Sequence, residues 1–151
     1  MDTKTLYQWL MEAADAVAHA LEMNCRTEPG NGLLSNSPLL HSQVDCHSAG
    51  EHEFFVKLWS DVETAVLLAR GMAGEFADTT TAGLLDVVRE LANHVGGAIK
   101  RNWPGESLQL TTPNSRLVDD LEMLQPDAGY AVVTLLADGA PVLISLELPG
   151  D

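Results

Sequence analysis

From Leu84 to Ile99 an apolar residue returns every three or four positions, through Leu84, Val88, Leu91, Val95 and Ala98/Ile99. That is the spacing of one buried stripe on an α-helix. A stripe of this length makes the chain build its core around a helix, with a broad apolar surface facing it. Thr79, Thr80 and Thr81 supply candidate caps at its start, and Pro104-Gly105 stops it near residue 102. Asp86, Glu90, Asn93 and Gly97 fall on the opposite face, each three or four residues from the next, so they are neighbours there. Gly97 leaves that face flat beside the Glu/Asn pair, at some loss of helix propensity. A solvated helix surface has no need of such a glycine, whereas a docking surface does.

The rest of the chain supplies the surface for this helix to pack on. Residues 5–23 read as a first helix, with Leu6, Leu10, Ala13, Val17 and Leu21 as its stripe and Trp9 beside it. Thr5 and Gln8 have capping-box spacing there. A loop rich in Gly, Asn, Ser and Pro follows over residues 24–38. Strand-like runs at 39–46 and 54–59 flank the small polar stretch Ser48-Ala49-Gly50-Glu51, which suits a hairpin. Ser60 and Glu63 mark a helix start, and the expected buried face is Val62, Ala65, Val66, Ala69 and Met72; Gly71 and Gly74 weaken its end. After the long helix, residues 107–112 read as a strand ending at Pro113-Asn114, and a polar acidic loop spans 119–129. The last hairpin runs 130–137 and 142–148 about a turn at Asp138-Gly139. The order is helix, two strands, two helices, three strands, which predicts an α+β fold with a largely antiparallel sheet. The whole chain, residues 1–151, is expected to be one domain.

The formal net charge of −14, with only eight basic residues, argues against nucleic acid and against anionic membrane surfaces. Lys100-Arg101, the sole adjacent basic pair, sits where cations complement the macrodipole of the long helix. Two cysteines, Cys25 and Cys46, make no disulfide framework. No secretory h-region opens the chain and no run reaches the length of a membrane span, so a cytoplasmic protein with reduced thiols is expected.

The series Asp86, Glu90, Asn93 and then Pro113 resembles the CheX/CheC family of chemotaxis phosphatases. That family carries an acidic or serine residue, three residues, Glu, two residues, Asn, and later a proline. Gly97 and Lys100 also stand at offsets the family uses, and the element order follows it over most of the chain. Pro113 arrives sooner than the family spacing, which implies a shorter helix end or a tighter turn into the next strand. The chain is read as carrying one Glu-x-x-Asn copy, which points to the CheX side, since CheC-type members usually carry two.

The resemblance implies a CheC-like sandwich and a phosphatase of response-regulator receiver domains of the CheY type. It also implies a homodimer, and the apolar last strand, with no element after it to cover an edge, suits that state. Its substrate would be an aspartyl phosphate, already activated, so that hydrolysis needs a water held in line and charge fixed around it. The resemblance makes Glu90 and Asn93 the catalytic pair, with Asp86 and Gly97 as partner-docking residues. The Asn93 carboxamide would position the water, accepting through its carbonyl and donating through its NH2 without adding negative charge. Glu90 would pair with the receiver's active-site lysine. No cofactor is expected on this chain; the Mg2+ of phosphoryl chemistry would belong to the receiver. The alternatives are a non-catalytic CheX-like module that binds a receiver or other signalling protein, and a structural dimerisation domain with an inert helix face.

Other groupings carry less. His41, Asp45, Cys46, His47 and His52 crowd one segment, but strand alternation sends Cys46 to the face opposite His41 and Asp45, and no paired metal-ligand spacing is present. No metal is assigned on that ground. No Gly-x-Ser-x-Gly elbow exists, Cys25 has no catalytic histidine partner, and Gly71-x-x-Gly74 lacks a nucleotide-loop setting. His94 is read as flanking the Glu/Asn pair, and Trp9, Trp59 and Trp103 as core packing.

Overall fold

Among the described residues of the computed structural model, 2–30, 32, 38–119 and 129–150, seven strands form one antiparallel sheet that carries three α-helices on a single face. In chain order the elements are α1 (Thr3–Leu21), β1 (Cys25–Pro29), β2 (Leu39–Ser48), β3 (Glu51–Asp61), α2 (Val62–Ala73) with a 3-10 turn (Gly74–Phe76), α3 (Thr81–Asn102), β4 (Gln109–Leu110), β5 (Asn114–Val118), β6 (Tyr130–Ala137) and β7 (Ala140–Glu147). The sheet order is β1-β6-β7-β3-β2, and both β4 and β5 pair along the far side of β2. The α+β expectation holds. Most of the acidic loop expected at 119–129, and part of the loop at 24–38, lie outside the described residues.

Helix stripes and alternate strand positions meet in one main core. Leu6, Leu10 and Val17 of α1 and Val88, Leu91, Val95 and Ile99 of α3 pack against Val44, Phe54, Val56, Leu58, Val133 and Ile144 of the sheet. Trp103, just past α3, joins Trp9 and Phe54 with ring centroids 5.5 and 4.6 Å away. Trp59, expected among them, instead sits on the opposite sheet face with Leu39, Val132 and Leu143. It is one residue out of phase with Leu58, and strand alternation turns it away from the helices.

Several expected boundaries shift for identifiable reasons. Helix α1 is capped by Asp2, whose carboxylate accepts from the Thr5 amide at 2.8 Å, so Thr5 and Gln8 lie inside the first turns. Helix α2 is capped by Asp61, which accepts from the Thr64 amide at 2.7 Å. Ser60 is buried at the end of β3 and donates to the Asp61 carbonyl. The buried face of α2 is correspondingly Thr64, Ala65, Leu68 and Ala69, while Val62 and Met72 are 38% and 37% exposed. Helix α3 keeps its expected stripe and ends as anticipated, with Thr80 as its cap.

Two strands are additions to the expected order. β1 is an edge strand of mixed polarity, held by β6 and by Asn24, whose amide donates to the Asp138 carboxylate at 3.1 Å while the Asp138 amide donates back to its carbonyl at 2.8 Å. The strand expected at 107–112 contracts to β4, Pro113 interrupts the ladder because it has no N–H to donate, and pairing with β2 resumes as β5. Both predicted hairpin turns are present, with positive φ at Ala49 and Gly50 and at Asp138 and Gly139, as a two-residue type I′ turn requires. The final strand is a correction: β7 lies between β6 and β3, so it offers no free edge for a second copy. Among the described residues no helix is long and apolar enough to cross a membrane.

Candidate functional site

Helix α3 buries Val88, Leu91, Ala92 and Val95 against the sheet, and this fixes what faces outward. Asp86, Glu90 and Asn93 are all exposed, in the line that helical spacing dictates. Gly97 continues the line with nothing within 4 Å of where a Cβ would stand. Its neighbour Gly96 does the opposite. A Cβ there would meet Val44 Cγ1 at 3.3 Å and Leu110 Cδ2 at 3.6 Å, so Gly96 lets the helix sit close on β2 and β4.

Asp86, Arg89, Glu90 and Asn93 border an open groove of about 340 Å³ whose other wall is Thr112 and Pro113. Pro113 thus reaches the Glu/Asn pair despite its early position. Helix α3 runs its full expected length, and the shortening falls on β4, two residues long. Arg89 and Thr112 had no signal in the linear motif, although the three-residue spacing of Arg89 from Asp86 marks an ion pair, which the side chains make. His94, read from the sequence as flanking, is a neighbour of Glu90 four residues on, with Nε2 3.8 Å from the Glu90 carboxylate. Exposed pairs of this kind contribute little stability, so Glu90 stays available to a stronger cation. Among the described residues no hydrogen bond engages the Asn93 carboxamide.

A larger hollow, about 510 Å³, opens where α1, α2 and α3 meet and touches Glu90 and His94 on their other flank. Asn93 does not line it, and alanine and leucine side chains share its wall with Glu22, Glu90, His94 and Arg101.

The remaining candidates separate cleanly. Cys46 is fully buried in the main core, and burial pushes its thiol up, with nearby Lys100 opposing and Glu53 adding. Cys25 is raised by burial and further by Asp138. Both are therefore protonated at neutral pH and are poor nucleophiles. His41 is buried, stacked on Trp59 at 4.8 Å with Nδ1 3.0 Å from the Leu58 carbonyl. Asp45, His47 and His52, by contrast, converge, each offering a ligand atom within 4.8 Å of the others. The single-copy reading is corrected: Glu-x-x-Asn also occurs at Glu28 to Asn31, though Glu28 is on strand β1 and not on a helix, and Asn31 lies outside the described residues.

A wholly antiparallel sheet with helices packed on one face is the layout this chain shares with CheC-like folds. The chain belongs to the family described as "Chemotaxis phosphatase CheX", whose model matches residues 47–136. The fold is similar to CheX in the CheX–CheY–BeF3–Mg2+ complex from Borrelia burgdorferi, with a TM-score of 0.71 at 16% identity, covering 96% of this chain and 98% of that one. It is similar to a CheC-like protein from Shewanella oneidensis, with a TM-score of 0.71 at 9% identity, covering 95% and 97%. CheX from Vibrio vulnificus gives a TM-score of 0.69 at 13% identity, covering 93% and 96%. No curated protein sequence matches the chain.

Proposed function

We propose that this protein hydrolyses the aspartyl phosphate of a CheY-like receiver domain in chemotaxis or two-component signalling, in the cytoplasm. The observation that carries the proposal is the convergence of Asp86, Glu90, Asn93, Thr112 and Pro113 on one open groove, in a chain of the CheX family. Family membership supplies the reaction class, and the groove supplies room for a partner's backbone.

In this reading the receiver docks on α3, with Gly97 allowing close approach and the Asp86–Arg89 pair at the rim. Glu90 takes the receiver's active-site lysine in place of His94, and the desolvated contact fixes the orientation of the two proteins. Asn93 reaches toward the phosphorus from the side opposite the scissile bond. Its carbonyl accepts a hydrogen bond from water, turning the water oxygen toward phosphorus. The new O–P bond forms as the bond to the aspartate oxygen breaks; the aspartate leaves as carboxylate, and the water's proton passes to the phosphate product or to solvent. The Mg2+ of this chemistry is assigned to the receiver. On this side of the interface Asp86 is engaged by Arg89, and Glu90, with only the His94 ring 3.8 Å away, is the carboxylate left for the receiver's lysine.

The direct test is phosphate release from a phosphorylated CheY-type receiver with and without this protein. Acceleration over the receiver's own decay is expected. Binding of the phosphorylated receiver without acceleration would leave a docking module in place of an enzyme. Glu90→Ala is expected to weaken receiver binding by about tenfold or more, equivalent to about 1.4 kcal/mol or more. It should also flatten the salt dependence of binding, because the variant has lost the charge that salt screens. An affinity and salt slope equal to wild type would remove Glu90 from the interface.

Homodimerisation rests on the family resemblance alone now that β7 is interior, and it would engage β1, β5 or a helix face. Light scattering is expected to give twice the monomer mass at micromolar concentration; a monomer throughout would end that expectation.

A further inference from the structure

We infer that Asp45, His47 and His52 form a binding site for a divalent transition-metal ion of the zinc class, on the sheet face turned away from the helices. Alternation along β2 places Asp45 and His47 on one face, while Val44 and Cys46 point into the core. The β2–β3 register sets His52 directly across from His47, next to a bulge between Cys46 and His47. The two imidazole rings lie with centroids 4.6 Å apart. Three residues from two strands therefore bring two nitrogens and one carboxylate oxygen together, each within 4.8 Å of the others.

Ligand atoms about 2.0–2.2 Å from a tetrahedral zinc stand about 3.3–3.6 Å from one another. The present separations, up to 4.8 Å, exceed that range by about the reach of a side-chain rotation. The site is braced for it. Gln43 Nε2 donates to one Asp45 carboxylate oxygen at 2.8 Å, which orients the group and leaves the other oxygen for the ion. Thr111 clasps the Asp45 backbone on both sides, donating to its carbonyl at 2.9 Å and accepting from its amide at 3.1 Å. His52 is exposed, so the ion can enter from solvent and keep a water as its fourth ligand. Glu53, next to His52 in sequence, turns to the helix side, where its carboxylate accepts from Trp103 Nε1 at 3.4 Å. A donor set of two imidazoles and one carboxylate selects zinc, nickel or copper over Mg2+ and Ca2+, which call for oxygen ligands. The formal charge of −14 raises the concentration of cations around the whole protein. This site is separate from the phosphoryl chemistry and from any Mg2+ on a receiver.

The experiment is calorimetric titration of the chelator-treated full-length protein with Zn2+, repeated with Co2+ followed by visible absorption and with Mg2+. One equivalent of Zn2+ is expected to bind, with Co2+ giving ligand-field bands and Mg2+ giving no saturable signal. His47→Ala and His52→Ala should each abolish stoichiometric binding, with the far-ultraviolet circular dichroism unchanged. Gln43→Leu should weaken it by about 10–100-fold, the usual effect of removing an orienting partner. His94→Ala should leave it intact. Absence of saturable Zn2+ binding to the wild type would overturn the inference. So would one equivalent bound equally well by a folded His47→Ala/His52→Ala double variant, since the ion would then sit elsewhere.

Discussion

Asn93→Ala is expected to lower phosphate release from a phosphorylated receiver by about 10²–10³-fold, the usual loss when one positioning contact leaves a preorganised site. Receiver affinity should stay within about twofold of wild type, a change in binding free energy well under 1.4 kcal/mol. The separation follows from where the side chain stands. Asn93 is exposed on α3 and no described residue is bonded to its carboxamide, so truncation disturbs neither the core nor the Asp86–Arg89 pair. A carboxylate is the informative second replacement. Asn93→Asp keeps the size and the acceptor but sets negative charge against the phosphoryl oxygens, and it should also be slow. The measurement is release of inorganic phosphate at saturating receiver, beside equilibrium binding of the same receiver. A wild-type rate from Asn93→Ala would sink the phosphatase assignment and leave receiver binding as the function.

Gly96 and Gly97, adjacent in sequence, should respond in opposite ways to the same substitution. Gly97→Leu projects into open space and replaces glycine by a better helix former, so stability is expected to hold or rise by up to about 0.8 kcal/mol. The new side chain stands on the docking face, and receiver binding should fall by tenfold or more. Gly96→Leu drives its side chain into Val44 and Leu110 and should destabilise the fold by about 1–3 kcal/mol or more, as overpacking does. Denaturant unfolding monitored beside receiver binding distinguishes the two. Full receiver affinity in Gly97→Leu would mean that the partner docks away from this face.

What could be read from the sequence divides along a physical line. Elements whose signal is internal were legible. The α3 stripe needs only its own period, and the two hairpins need only their turn residues. Helical geometry also set Asp86, Glu90, Asn93 and Gly97 in line before any tertiary contact was known. Elements whose signal lies in a distant partner were not legible. β1 carries Arg26, Glu28 and Pro29, which have weak strand character, and exists because β6 offers a ladder to it. β5 depends in the same way on β2. Ser60 and Asp61 are both good caps, and burial of Ser60 in β3 decides between them. In the groove, Arg89 needed only helical spacing to be found, whereas Thr112 depended on where β4 ends. The histidines show the same limit. Alternation alone correctly detached Cys46 from Asp45, but only the β2–β3 register brings His52 across to His47.

The break that Pro113 makes between β4 and β5 has a mechanical consequence. Helix α3 is seated on the core along its whole length, so one side of the groove is stiff. The other side, Thr112 and Pro113, is strung between a two-residue strand and a five-residue strand, fastened to β2 on one flank by Thr111 to Asp45 and on the other by the Ser42 hydroxyl donating to the Asn114 carbonyl. Short ladders open at low free-energy cost compared with central strands. The groove is therefore a vice with one fixed jaw and one compliant jaw. Under the proposed function, receivers of slightly different contour would be accommodated by displacing a few residues of wall, while the face bearing Glu90 and Asn93 keeps its alignment.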